Sequence, residues 1–250
     1  SISPVSNQIE FRDISFAYPN TETKALKDIN LTVKAGQTVA VVGPNGSGKT
    51  TLVNLIPRFY YPSGGQILFD GQNIEDITLK SLREQIGIVT QKIVTFNDTM
   101  AANIRYGKPD ASMEEVVAAS KKAFAHEFID QLPEGYDSMI GEHGSGLSGG
   151  QLQRISIARA VIKDPSIVIF DEATSQIDAD SESKIQEALF TLFNRKTCFV
   201  IAHRFSTITS ADIIVVIDNG SIVDKGSHNQ LIRRCNIYKA LYDTQLIEPE

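Results

Sequence analysis

No apolar run in this chain approaches the roughly 18 residues that a membrane span needs, and the N-terminus lacks the basic-then-apolar pattern of a secretory leader. The chain as it stands is expected to be soluble. Cysteine is scarce: Cys198 sits in an apolar, strand-like run and Cys235 lies near the end, so they offer neither a disulfide framework nor a metal-ligand spacing. Both read as inert thiols of a reducing compartment. A basic excess is missing too. With 24 Lys+Arg against 30 Asp+Glu, a net charge of −6 and a pI near 5.3, there is no electrostatic reason to expect nucleic acid or an anionic membrane surface as the direct partner. No internal repeat or low-complexity tract interrupts the 250 residues, a length that suits one large α/β domain or two small ones; one domain with an insertion is expected.

What the chain does contain is organised around Gly43-Pro44-Asn45-Gly46-Ser47-Gly48-Lys49-Thr50-Thr51. Thr38 to Val42 before it is a short β-branched run of the kind that makes a buried strand; Leu52, Leu55, Ile56 and Phe59 after it recur at helical spacing. Strand, glycine loop, helix is the local order. Gly43 and Gly48 fit the pattern Gly-x4-Gly-Lys-Ser/Thr, in which glycines let backbone N–H groups turn onto phosphate oxygens. The helix start adds unpaired N–H groups and a positive dipole end. Lys49 would supply a point charge to the β- and γ-phosphates, and the Thr50 hydroxyl would ligate magnesium. A tight strand-to-helix turn rich in glycine is the plainer alternative.

Elsewhere the pattern alternates. Ile9, Phe11, Ile14, Phe16 and Tyr18 are strand-like with a break at Arg12-Asp13 that suggests a bulge; Leu26 to Val33 and Gln66 to Phe69 follow, the latter ending at the hairpin signal Asp70-Gly71. From about Met100 to Ile162 the reading turns helical, with a capping box from Ser112 to Glu115. Strand signals resume in Ile167 to Phe170, Cys198 to Ala202 and Ile213 to Ile217, with a helix near Ser181 to Phe193 between the first two. Such alternation implies a parallel, doubly wound core. Asn219-Gly220 turns a last hairpin, and an amphipathic tail with Leu231, Ile237, Leu241 and Leu246 reads as packing. His126 and His228 read as solvated surface.

Two further stretches carry chemistry. Ile167 to Phe170 runs into Asp171-Glu172, and ligands of open α/β sheets bind beyond the carboxyl ends of the strands. Asp171 fits the role of holding magnesium, directly or through water, and Glu172 that of orienting or deprotonating the attacking water. Taken alone, the strand could simply exit into a polar loop; beside the glycine loop the functional reading is preferred. Leu147-Ser148-Gly149-Gly150-Gln151 begins another helix, with Ser148 suited as N-cap and Leu152, Ile155 and Ile162 on an inward face.

In combination, the Gly43–Thr51 loop, the Asp171-Glu172 strand, the Ser148 string and a later His203 resemble the ATP-binding cassette family over nearly the whole chain. The chain looks like the nucleotide-binding domain of an ABC transporter and is most similar to the exporter type. The resemblance implies an α/β fold: a P-loop NTPase, RecA-like parallel-sheet core with an N-terminal antiparallel β subdomain and a helical signature subdomain. One domain over 1–250 is expected, with the helical part inserted at about 92–163, and the polar residues 1–7 read as loose, a linker or a chain end.

Residue roles follow from the same resemblance. Ser148, Gly149, Gly150 and Gln151 match the signature motif. Tyr18, before Pro19, falls where an aromatic ring stacks on adenine. Gln91, in Ile88-Val89-Thr90-Gln91, matches the glutamine that senses magnesium and the attacking water and faces the membrane partner. Ser175-Gln176-Ile177-Asp178 occupies the D-loop position, with Gln-Ile where Ala-Leu is usual, a departure that bears on coupling across a dimer. His203 matches the switch histidine at the γ-phosphate. Glu142, followed by His143 where arginine is common, resembles an exporter-specific loop, and Asn103-Ile104-Arg105-Tyr106-Gly107 also resembles exporters, with Ala102 in place of a frequent glutamate.

The family then implies a head-to-tail dimer in which one subunit's loop, including Asn45, Gly46 and Ser47, and the other's signature enclose one ATP with magnesium. It implies a transmembrane partner, a position at the cytoplasmic face of a membrane, and no nucleic acid. Rival readings explain less. A soluble ABC ATPase of DNA or ribosomes would carry a long coiled-coil insertion or two cassettes, and a GTP switch would show Asn-Lys-x-Asp. A kinase leaves Ser148 to Gln151 unexplained, and a non-catalytic subunit would not need Lys49, Glu172 and His203 together.

Overall fold

The alternating and continuous apolar runs resolve, in the computed structural model, into strands and helices over the described residues 2–141, 146–171, 178–202 and 204–246. In chain order these are β1 (Gln8–Ala17), β2 (Lys24–Lys34), β3 (Thr38–Val42), α1 (Lys49–Leu55), β4 (Gly64–Phe69), β5 (Gln72–Asn73), α2 (Leu79–Glu84), β6 (Ile86–Val89) and β7 (Asp98–Thr99). They continue with α3 (Met100–Arg105), α4 (Met113–Lys122), α5 (His126–Asp130), β8 (Met139–Ile140), α6 (Gly149–Lys163), β9 (Ile167–Asp171) and α7 (Ala179–Phe193). The last part holds β10 (Thr197–Ile201), α8 (Phe205–Thr209), β11 (Ile213–Asp218), β12 (Ser221–Gly226), α9 (His228–Arg234) and α10 (Asn236–Leu241). Two compact units emerge: Ser1–Ile86 with Ser166–Glu172 and Arg195–Glu250, and Gly87–Pro165 with Ala173–Asn194.

In the first unit, β3, β9, β10 and β11 are apolar apart from a polar residue at one end of each and lie parallel, in the order β12-β11-β3-β10-β9. Val39, Ala40, Val41 and Val42 are each at most 3% exposed, as expected for a strand covered on both faces. Burying a valine side chain contributes about 1.5–3 kcal/mol, so β3 is strongly anchored where it must deliver the glycine loop. β12 runs antiparallel to β11; it returns through Asn219-Gly220, with φ of 46° and 82° between the paired Asp218 and Ser221, the two positive angles of a tight hairpin turn. A second, antiparallel sheet has the order β2-β1-β4-β5. Its β1–β2 register slips between Phe11 and Ile14, where Asp13 has φ 51°, which is the expected bulge. Phe11 of this sheet meets Phe199 of β10 edge-on at 6.0 Å.

The second unit is built on α6, which packs against α3, α4 and α7. The anticipated single inward face is an understatement. Gln153, Arg154 and Ser156 are buried along with Ile155, Ile157 and Ala158, while Leu152 is only half-buried. Polar residues are accommodated because they find partners: the Arg154 guanidinium donates to Phe124 O at 2.9 Å and lies 5.1 Å over the Phe128 ring. Asn103, fully enclosed, does the same for the segment before α3. Its Oδ1 accepts from Phe96 N (3.0 Å), and its Nδ2 donates to the carbonyls of Phe96, Asp98 and Thr99. Arg159 of α6 completes the clamp by donating to Asn103 O (2.9 Å) and Val94 O (3.0 Å).

Three local expectations change. The helix after the glycine loop stops at Leu55, ahead of Pro57, so Phe59 does not extend its apolar face and is half-exposed. Ser6 and Asn7 are not a loose linker: their backbone N–H groups, with that of Gln8, donate to the Asp70 carboxylate. Burial pushes that carboxyl up, but these bonds outweigh it and hold it below the usual range. His126 and His228 are half-buried, not solvated, and each ring Nδ1 pairs with a tyrosine hydroxyl, Tyr136 at 2.9 Å and Tyr238 at 2.8 Å.

Asn103→Ala is expected to lower unfolding free energy by about 2–3 kcal/mol, because it strands an enclosed N–H and several carbonyls. Urea midpoints check this, and a loss below about 0.5 kcal/mol would show that water replaces the side chain. Neither cysteine is in a disulfide, both are buried, and burial pushes the Cys198 thiol up to about 12. Neither thiol should therefore react with a disulfide reagent at pH 8 until the chain is unfolded; rapid native labelling would contradict their enclosure.

Candidate functional site

The glycine loop is a matter of clearance. Gly43 leaves β3 so close to β11 that a Cβ there would lie 2.0 Å from Ile217 O. At the other end Gly48, with φ 108°, caps α1, and a Cβ would sit 2.8 Å from Ala25 O and 2.9 Å from Leu26 Cδ2. Between them the loop is bonded to the β11–β12 turn. Gly220 N donates to Ser47 O at 3.0 Å, while Gly220 O accepts from Lys27 N at 2.8 Å. The hairpin turn is thus a brace that ties the loop to β2.

Within this frame Lys49 folds inward. It is 8% exposed, and its Nζ donates to Gly43 O (2.8 Å) and Pro44 O (2.9 Å). Burial pushes its ammonium below the usual lysine range, and the charge of Asp171 pulls it partly back. Ser47 Oγ is enclosed and has no hydrogen-bond partner among the described residues. A buried hydroxyl without a partner is costly unless something supplies one. A phosphate oxygen would satisfy it, and Lys49 needs only to exchange carbonyl acceptors for phosphate ones. Asn45, Gly46 and Thr50 are exposed along the same loop.

Asp171 ends β9, paired in register with Ile201 of β10, and β10 in turn pairs with β3. The parallel register thereby brings a carboxylate within electrostatic reach of Lys49. Thr50 and Asp171 together offer a hydroxyl and a carboxylate, the hard oxygen donors that magnesium takes alongside phosphates. Tyr18, just past β1, is half-buried; its hydroxyl hydrogen-bonds Thr51 Oγ1 at 2.9 Å. The first unit therefore brings together Tyr18, the loop from Gly43 to Thr51, and Asp171.

In the second unit, Ser148 is the N-cap of α6, in a full capping box with Gln151: Gln151 N donates to Ser148 Oγ, and Ser148 N to Gln151 Oε1. Ser148 and Gly149 are exposed and Gly150 is buried. Gln91 is exposed just after β6. Asp178 is the N-cap of α7, its Oδ1 accepting from Ser181 N at 2.9 Å, a bond that holds its carboxyl below the usual range. Glu172, Ser175 to Ile177, His203, Glu142 and His143 lie outside the described residues.

Patterning gave no notice of the brace at Gly220, of the Arg159–Asn103 clamp, or of the Tyr18–Thr51 bond, because each joins residues far apart in the chain. A buried strand that feeds a glycine loop, an enclosed lysine at the following helix start and a carboxylate at the end of a parallel strand define the class: a P-loop NTPase.

The comparisons carry this further. The ABC transporter family model matches residues 26–175. The ATP-dependent lipid A-core flippase of Syntrophus aciditrophicus (strain SB) is 54% identical over 244 residues, 98% of this chain and 40% of that protein. A multidrug export ATP-binding/permease protein of Staphylococcus aureus (strain NCTC 8325 / PS 47), so named provisionally, is 54% identical over 238 residues, 95% of this chain and 41% of that protein. A bacterial Atm1-family ABC exporter solved with ATP bound matches at a TM-score of 0.92 and 42% identity, covering 100% of this chain and 44% of that one. The chain belongs to the ABC transporter family as its ATP-binding ATPase domain, and these relatives are exporters by name. It spans about two fifths of the length of the curated relatives it matches.

Lys49→Ala is expected to reduce ATP turnover by on the order of 100-fold or more, the scale set by removing one preorganised charge or donor from a transferring group. Steady-state hydrolysis by a rigorously purified sample checks it, and near-normal turnover would remove Lys49 from the reaction.

Proposed function

We propose that this chain binds MgATP on the Gly43–Thr51 loop and hydrolyses it to drive an exporter whose membrane-crossing part lies outside these 250 residues. The observation that carries this reading is the braced loop holding an enclosed lysine and an unsatisfied serine hydroxyl. No helix among the described residues is long and apolar enough to cross a membrane, whereas the relative named as an ATP-binding/permease protein is more than twice as long. The membrane partner would accordingly be a transmembrane domain of the same transporter, with this chain on its cytoplasmic face. The names of the two relatives support a lipid or a drug as cargo.

Adenine stacks on Tyr18 in this reading. The triphosphate lies on the backbone N–H groups from Gly43 to Thr51, with Lys49 on the β- and γ-oxygens and the Ser47 hydroxyl on one phosphate oxygen. Thr50 and Asp171 would hold magnesium, whose charge would offset that of the phosphates. Glu172 takes a proton from the water that attacks the γ-phosphorus, the bond to the bridging oxygen breaks, and ADP leaves. Lys49 and His203 stabilise charge on the transferring phosphoryl group. Because such transfer requires position and charge more than covalent help, fixed backbone and a pre-placed ammonium suffice for much of the effect.

The opposing face of the same ATP would come from a second copy or a related domain, through Ser148, Gly149, Gly150, Gln151 and Asp178. Support comes from the capping box of α6, which fixes the helix start while leaving Ser148 and Gly149 exposed. A head-to-tail, two-fold arrangement then makes two composite sites. The single-domain reading over 1–250, with a helical insert at about 92–163, belongs to the same proposal.

Glu172→Gln should bind MgATP yet scarcely turn it over, and its solution mass should double with MgATP and not with MgADP. Rapid steady-state hydrolysis by this variant would dismiss Glu172 as the key base. A monomer with ATP demonstrably bound, in a membrane-linked form as well as alone, would dismiss the shared site.

A further inference from the structure

Three consecutive aromatics follow α1, and they do not share one fate. The Arg83 guanidinium lies 5.3 Å over the Phe59 ring, and that of Arg58 lies 5.1 Å over the Tyr61 ring. The middle residue, Tyr60, turns instead to Tyr18 and Phe16. Its ring stands at 85° to Tyr18 with centroids 5.3 Å apart, and tilted by 50° to Phe16 at 5.5 Å; Phe16 and Tyr18 meet at 81° and 4.9 Å. Phe16 is 3% exposed and belongs to the core, but Tyr60 is 36% exposed. Core packing alone does not explain why so exposed a ring is held edge-on against Tyr18.

We propose that Tyr60 is a positioning residue for nucleotide-base recognition. It completes a three-point hold on Tyr18, the other two being Phe16 and the Thr51 hydroxyl at 2.9 Å. The proposal rests on the reading of Tyr18 as the adenine platform. Near-perpendicular aromatic pairs are favoured by the ring quadrupole, and a ring fixed beforehand spares the base the cost of ordering it on binding. Thr51 lies within α1 and Tyr60 shortly after it, so the short segment that begins in the phosphate loop also sets the orientation of the base platform. Phosphate and base would thus be read by one rigid piece of chain.

The test separates base from phosphate. Radiolabelled ADP is bound to the 250-residue chain with magnesium and displaced by unlabelled ADP or by pyrophosphate, in the parent and in Tyr60→Ala, Tyr60→Leu, Tyr60→Phe and Tyr18→Ala. Tyr60→Ala and Tyr60→Leu should weaken ADP roughly three- to tenfold, the equivalent of losing one or two aromatic pairs, with pyrophosphate affinity within about twofold of the parent. Tyr60→Phe, which keeps the ring, should bind ADP as the parent does. Unchanged pyrophosphate affinity shows that a variant is folded, and Tyr60→Leu stands in if Tyr60→Ala is not. Equal loss of ADP and pyrophosphate in both Tyr60→Ala and Tyr60→Leu would mean a general disturbance of α1 and overturn the proposal. Parent-like ADP affinity in both, beside a clear loss in Tyr18→Ala, would overturn it while leaving Tyr18 in place. Parent-like ADP affinity in Tyr18→Ala would remove the platform itself, and Tyr60 with it.

Discussion

Everything at the candidate site depends on how little room there is between β3 and β11. Parallel pairing holds Val42 opposite Val216, and the chain that leaves β3 must then pass Ile217 O where no Cβ fits. Once Gly43 has made that passage, Ser47 is within reach of Gly220, Gly220 of Lys27, and Gly48 of Ala25. The loop is therefore closed against two neighbouring segments and cannot relax outward. Lys49 is buried as a result of that closure, with loop carbonyls as its acceptors. A flexible loop of the same composition would leave the ammonium in water, where a phosphate would gain far less from it.

The second unit solves a different problem by similar means. The α6 helix is enclosed nearly all round, so its polar side chains must be satisfied internally. Arg154 and Arg159 do this with backbone carbonyls of other segments, and Asn103 locks the stretch from Phe96 to Thr99 from inside. The consequence is that the exposed start of α6, Ser148 and Gly149, is carried on a helix that cannot easily turn about its axis. A helix start offered to an anion is useful only if its N–H groups keep their direction.

Charge is placed where these frames make it effective. Asp171 faces Lys49 from the end of β9, and its charge opposes the depression that burial imposes on the ammonium. Asp70 and Asp178 each accept from backbone N–H groups, the first tying down Ser6 to Gln8 and the second capping α7. Asp70 thus serves architecture, while the cap fixes Asp178 at the start of α7.

Local patterning was enough to specify β3, the loop from Gly43 to Thr51, the turns at Asp70-Gly71 and Asn219-Gly220, the capping box from Ser112 to Glu115 and the N-cap at Ser148. Each depends on residues within a few positions of one another. The exporter-type ABC family was legible for the same reason: its motifs are short strings. Which residues brace those strings emerged only once the chain was folded. That Gly220 supports Ser47, that Asn103 and Arg159 clamp one loop, that His126 and His228 pair with tyrosines, and that Tyr60 rather than Phe59 or Tyr61 turns to Tyr18 are outcomes of packing. Composition and period carry no record of such contacts, since the partner's identity is set by the path of the backbone and by which buried polar groups would otherwise go unpaired.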